Sequence, residues 1–159
     1  MCAAVFAGVF GAVLGGVASG YASYYWQRDL YRSQIAQTFF DMVASKQMLQ
    51  DTKTLIQHGV THGDNAVERF VAEYKADMNG PLNSARRRME QIYSRVQDYH
   101  ELGVLDDKWV AKILEPGSVC IFMKYVQPLS DAKPDPKPSI GKQRNFFAAR
   151  VSAGCEFPK

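Results

Sequence analysis

His58 and His62 stand four residues apart, the spacing at which two imidazoles share one helix face and can hold one metal ion. Gly59 sits between them, no carboxylate completes a metalloprotease pattern, and no cysteine lies nearby, so two loop histidines and no metal are expected. Asp106 and Asp107 pair two carboxylates, an arrangement that general acid-base chemistry uses. Here they precede an apolar-periodic segment, where one side chain caps the helix and the other complements its dipole. Cys120 lies among Val119, Ile121 and Phe122 and reads as a small core residue, not a nucleophile. The glycines near the N-terminus follow no strand and precede no Lys-Ser/Thr, so they form neither a phosphate loop nor a dinucleotide fingerprint. No catalytic residue and no cofactor are expected, and the chain is read as a non-enzyme.

The elements around these residues are organised by Met1–Trp26, which contains no charged side chain. As a helix, Val5–Trp26 would be ~33 Å long, enough to cross a bilayer core. Ala4, Gly8, Ala12, Gly16 and Gly20 form one ladder at four-residue spacing, and Ala7, Gly11, Gly15, Ser19 and Ser23 form another. Such a face lets a second backbone approach closely in lipid, so partner helices are expected. No basic segment precedes the apolar run, unlike a secretory signal. Tyr21, Tyr24, Tyr25 and Trp26 fall where an interfacial aromatic belt belongs, followed by Arg28 and Arg32. The positive-inside rule then places the body in the mitochondrial matrix, or in the cytoplasm of a bacterium.

About 130 residues remain after this span, enough for one small domain. Residues 1–130 carry 13 Lys or Arg against 13 Asp or Glu, and residues 131–159 carry 6 against 3, so the net +3 lies in the tail. That balance excludes a nucleic-acid footprint as the main function. The three cysteines, Cys2, Cys120 and Cys155, are odd in number without paired spacing, and predict reduced thiols.

No Gly or Pro occurs between Tyr21 and His58, so the membrane helix is expected to continue as one rod over 27–58. Ile35, Phe39, Met42, Leu49 and Ile56 recur in 4-3 steps along one seam, and His58-Gly59 reads as its stop. A small helical body follows over 64–130. Val67, Phe70, Val71, Tyr74 and Met78 mark its first helix, and Leu82–Leu102 a second with Met89, Ile92, Tyr93, Val96 and Tyr99 on one face. Arg86, Arg87 and Arg88 occupy the first turns of that second helix, where the dipole disfavours cations. An acidic group can compensate them; a solvated or lipid-facing triplet is the expectation, and an anionic partner surface or a lipid headgroup such as cardiolipin is the alternative. Asp106 caps a short helix closed by Pro116-Gly117, and a further helix from Ser118 is stopped by Pro128. Residues 131–159, with Pro134, Pro136 and Pro138, read as an extended arm ending in apolar hooks at Phe146, Phe147, Val151 and Phe157.

The segment Leu14-Gly15-Gly16-Val17-Ala18-Ser19-Gly20, followed by Tyr24-Tyr25 and a charged helix, resembles the membrane helix of dimer-interface subunits of mitochondrial ATP synthase. It is also similar to the anchors of single-pass supernumerary subunits of respiratory complexes. A second stretch, His100–Asp106 with Trp109-Val110 and Tyr125…Pro128-Leu129, is similar to bacterial membrane-anchored helical domains of unassigned function. Neither resemblance transfers a functional residue. The first resemblance and the small-residue ladders imply an accessory subunit of a mitochondrial inner-membrane energy-transducing complex, with other subunits and membrane lipid as partners, and the helical periodicity implies an all-α fold. The alternative is a bacterial membrane tether or signalling module with a helical cytoplasmic domain. An enzyme using His58, His62 or His100 is the remaining class.

Overall fold

The computed structural model describes the backbone of residues 2–134, 136 and 139–151, and the side chains of residues 19–134, 136 and 140–151. Among the described residues every regular element is helical. The chain divides into two compact units, Met1–Gln37 and Thr38–Lys159.

The first unit belongs to helix α1, Cys2–Val43, whose last turns fall in the second unit. Its described stretch 19–31 is exposed throughout, including Tyr21, Tyr24, Trp26, Leu30 and Tyr31. Among the described residues no helix is long and apolar enough to cross a membrane. The run Met1–Trp26 falls mostly on residues 1–18, whose side chains lie outside that description.

The single rod over 27–58 is corrected by a break after Val43. Ser45 takes an extended conformation there, and its Oγ both donates to Met42 O at 2.7 Å and accepts from Met48 N–H at 3.1 Å. A serine cap thus ends one helix and starts α2, Lys46–His62, without Gly or Pro. The break resets the helical phase: Leu49 turns to solvent, while Met48, Asp51 and Leu55 become buried. Gly59 does not stop α2 but lies inside it, where a β-carbon would overlap the Tyr125 ring. The stop comes at Gly63, whose φ of +51° favours glycine.

A 3₁₀ turn, Gly63–Asn65, leads into α3, Ala66–Ala76, and then α4 runs over Pro81–Glu101. Helix α2 packs chiefly on α4. Leu82, Ala85, Met89, Tyr93 and Val96 line the buried face of α4 at three- and four-residue steps. Gly103, at φ +69°, ends this helix, and both Val104 and Leu105 donate back to Tyr99 O. Helix α5, Asp107–Ile113, is capped by Asp106, whose carboxylate accepts from Trp109 N–H at 3.0 Å, as the sequence predicts.

Pro128 does not terminate the next segment. Helix α6, Pro116–Ile121, passes into a π-turn, Phe122–Val126, and then into α7, Gln127–Asp131. The widened turn, with Gln127 N–H bonded to Phe122 O, admits a residue that lacks a donor and would crowd a regular helix.

The extended arm is also corrected. Ser139–Ala148 forms α8, which lies on α4, the π-turn and α7, with Ile140, Gln143 and Phe147 buried. Phe147 meets Tyr93 and Phe122 at ring-centroid distances of 5.3 and 5.4 Å, and those two rings stack at 4.3 Å. Burial of such a ring stabilises by roughly 1.5–3 kcal/mol, so the body's own core holds this helix. Phe157 lies outside the described residues.

Candidate functional site

The two histidines singled out by spacing are on a helix, not in a loop, because α2 continues through Gly59 to His62. Their rings lie 4.7 Å apart. The turn at Gly63–Asn65 folds α3 back and brings in a carboxylate: one ligand atom each from His58, His62 and Glu73 lies within 4.8 Å of the others. His58 Nε2 is 2.8 Å from Ala66 O. A carbonyl only accepts, so Nε2 carries the proton and donates, leaving Nδ1 as the ring's lone-pair atom. The cluster therefore has two nitrogen donors and one oxygen donor, one of them already oriented by a backbone carbonyl. Glu73 escapes reading in sequence because the pattern is His-x3-His-x10-Glu across a turn. Only a helical hairpin makes that a cluster.

The arginine triplet is not one surface. Arg86 is 1 % exposed and donates to Asn83 Oδ1 at 2.9 Å, to Ser130 Oγ at 2.8 Å and to the Glu90 carboxylate. Its guanidinium also lies 5.9 Å from the Phe70 ring centroid. Burial pulls the Arg86 pKa down, and the Glu90 charge and hydrogen bond oppose it. Arg88 makes a forked contact with Asp51, at 2.6 and 2.7 Å. Burial pushes the Asp51 carboxyl up, but the hydrogen bonds from Arg88 and Gln47 and the Arg88 charge outweigh it and hold its pKa below the ordinary range. Acidic compensation is thus present for Arg86 and Arg88. Arg86 is removed from any lipid or partner surface, while Arg87 is exposed.

His100 joins a third ionic group. Its Nε2 lies 3.0 Å from Asp107 Oδ1, Arg150 also pairs with Asp107, and the Arg150 guanidinium stacks on Phe146 at 3.6 Å. Arg150, and then His100, hold the Asp107 carboxyl below the usual range. Asp107 thus has a role that helix capping did not suggest: it ties the end of α8 to α5.

Cys120 is buried, as its neighbours imply, but its sulfur is in a disulfide. The expectation of reduced thiols is corrected for this residue. The side chains of Cys2 and Cys155 lie outside the described residues. Spacing could not reveal the bond, since the cysteines are far apart in sequence.

Of the proposed membrane residues, Ser19, Gly20, Tyr21, Tyr24, Tyr25, Trp26 and Arg28 are exposed on α1. Tyr21 and Tyr25 join their hydroxyls at 2.8 Å, and the Arg28 guanidinium lies 5.5 Å from the Tyr25 ring centroid. Arg32 is half-buried. The side chains of Ala4, Gly8, Gly11, Ala12, Gly15 and Gly16 lie outside the described residues. Compared with protein-family models, curated proteins and solved structures, the chain matches none of them.

Proposed function

We propose that the chain is a non-catalytic, single-pass accessory subunit of a multi-subunit inner-membrane complex, supporting its assembly and stability. One observation carries the reading: Tyr21, Tyr24, Tyr25, Trp26, Leu30 and Tyr31 are 40–73 % exposed on α1, directly after a run free of charge. A helix with that much aromatic surface is stabilised by an external apolar phase, and amphipathic Tyr and Trp suit the boundary between lipid and water. The small-residue ladders before it suit a neighbouring membrane helix. A mitochondrial respiratory or ATP synthase complex is the leading setting, and a bacterial single-pass membrane tether or signalling module is the alternative.

Two features bear on the side of the membrane, and they oppose each other. Arg28 and Arg32 follow the span and favour the matrix or cytoplasmic side, yet Asp29 stands between them. The Cys120 disulfide favours an oxidising compartment. A disulfide is rarely kept in a reducing compartment, so the proposal puts the body on the oxidising face.

The test is alkaline extraction of native membranes, followed by mild-detergent native electrophoresis and mass spectrometry of the band holding this chain. Retention in the membrane and co-migration with subunits of one large complex are expected. Replacing Gly8, Gly16 and Gly20 by Leu should release the chain from that complex. Alkaline release, or migration as a free monomer, would sink the proposal.

A further inference from the structure

We infer that the α2–α3 hairpin binds a first-row divalent transition metal, such as Zn²⁺, through His58, His62 and Glu73. The inference is independent of the membrane reading. Imidazole nitrogen and carboxylate oxygen are donors that Zn²⁺ accepts, and two imidazoles with one carboxylate form a recurrent three-ligand set. The ligand atoms already lie within 4.8 Å of each other. Bonds of about 2.0–2.1 Å in a tetrahedral centre require atoms about 3.3 Å apart, so closure needs side-chain movements of roughly 1.5 Å. Those movements are accessible. Glu73 is exposed, and His62 is the last residue of α2, where the side chain is half-buried.

Two further features favour a cation at this position. Ala66 O holds the His58 ring by accepting from Nε2, the outer hydrogen bond that metal-bound histidines characteristically make. The C-terminal end of α2 presents carbonyl oxygens and the negative end of the helix dipole. Three protein ligands leave a coordination position for water or for a group from a partner.

Binding stabilises the hairpin, since the metal links residues on two helices in the folded state alone. The experiment is Zn²⁺ titration of the full chain in detergent by calorimetry, with Co²⁺ substitution to read coordination from its visible bands. The wild type should bind saturably, give the intense bands of a low-coordinate Co²⁺ ion, and unfold at higher temperature with metal present. His62→Gln and Glu73→Gln should each weaken Zn²⁺ binding about 10-fold or more, the loss known for even an outer-shell partner. Glu73 is exposed, so that substitution leaves the fold intact and the measurement interpretable. Absence of saturable binding by the wild type, or wild-type affinity in either variant, would overturn the assignment.

Discussion

Arg86 on α4 donates to Ser130 Oγ on α7 at 2.8 Å, and both residues are 1 % exposed. Ser130 in turn donates to the Glu90 carboxylate at 3.1 Å, while Gln143 of α8 donates to Glu90 O at 3.2 Å. A buried cation thus joins helices that are far apart in the chain. Arg86→Met would leave the Glu90 carboxylate unpaired at the same place, with an expected loss of about 3 kcal/mol or more. Arg86→Met with Glu90→Leu should recover much of it, because removing both charges also removes their desolvation cost. Urea unfolding of the two variants checks the ordering; a double variant no better than the single one would contradict it.

At Gly59 helix propensity and packing pull in opposite directions. An Ala there would raise helix propensity by about 1 kcal/mol, but its methyl would overlap Cδ1 and Cε1 of Tyr125. Overpacking of this kind costs roughly 1–3 kcal/mol, so Gly59→Ala should destabilise. In a Tyr125→Ala background the same change should stabilise. A double-mutant cycle in thermal unfolding reads the change of sign.

Asp51 governs part of the acid response. Its folded pKa lies below the unfolded value of about 3.9, so between the two values the unfolded chain binds more protons and stability rises with pH. The contribution is complete above about pH 5 and disappears as pH falls through the folded value. Asp51→Asn should lower stability at neutral pH and flatten its decline below pH 5. Urea midpoints from pH 3 to pH 6 test this; parallel curves for the two proteins would refute it.

Thiol counting tests the disulfide. With three cysteines and Cys120 in a bond to one of the other two, alkylation of the unreduced, denatured chain should modify one cysteine, and alkylation after reduction all three. Peptide mapping then identifies the partner as Cys2 or Cys155. Three reactive thiols in protein from native membranes would return the body to the matrix or cytoplasmic side.

Local signals were readable wherever one side chain or one turn decides the outcome. Asp106 caps α5, Gly103 closes α4, and of the predicted apolar face of α4 Met89, Tyr93 and Val96 are buried while Ile92 and Tyr99 are half-buried. The serine break after Val43 was missed because serine also occurs within helices; only its cap geometry distinguishes the two uses. Pro128 misled for a related reason. A proline ends a regular helix, and sequence carries no mark of the π-turn that accommodates it.

Composition and periodicity by themselves determined that the chain is all-helical, that an uncharged apolar run precedes one small body, and that its basic excess lies at the end. Those properties depend on neighbours within a few residues. Tertiary structure alone decided that Arg86 is buried with Glu90 and Ser130, that α8 closes the aromatic core through Phe147, and that Glu73 joins His58 and His62. Each depends on groups separated in the chain, whose meeting is set by how helices pack and where they break.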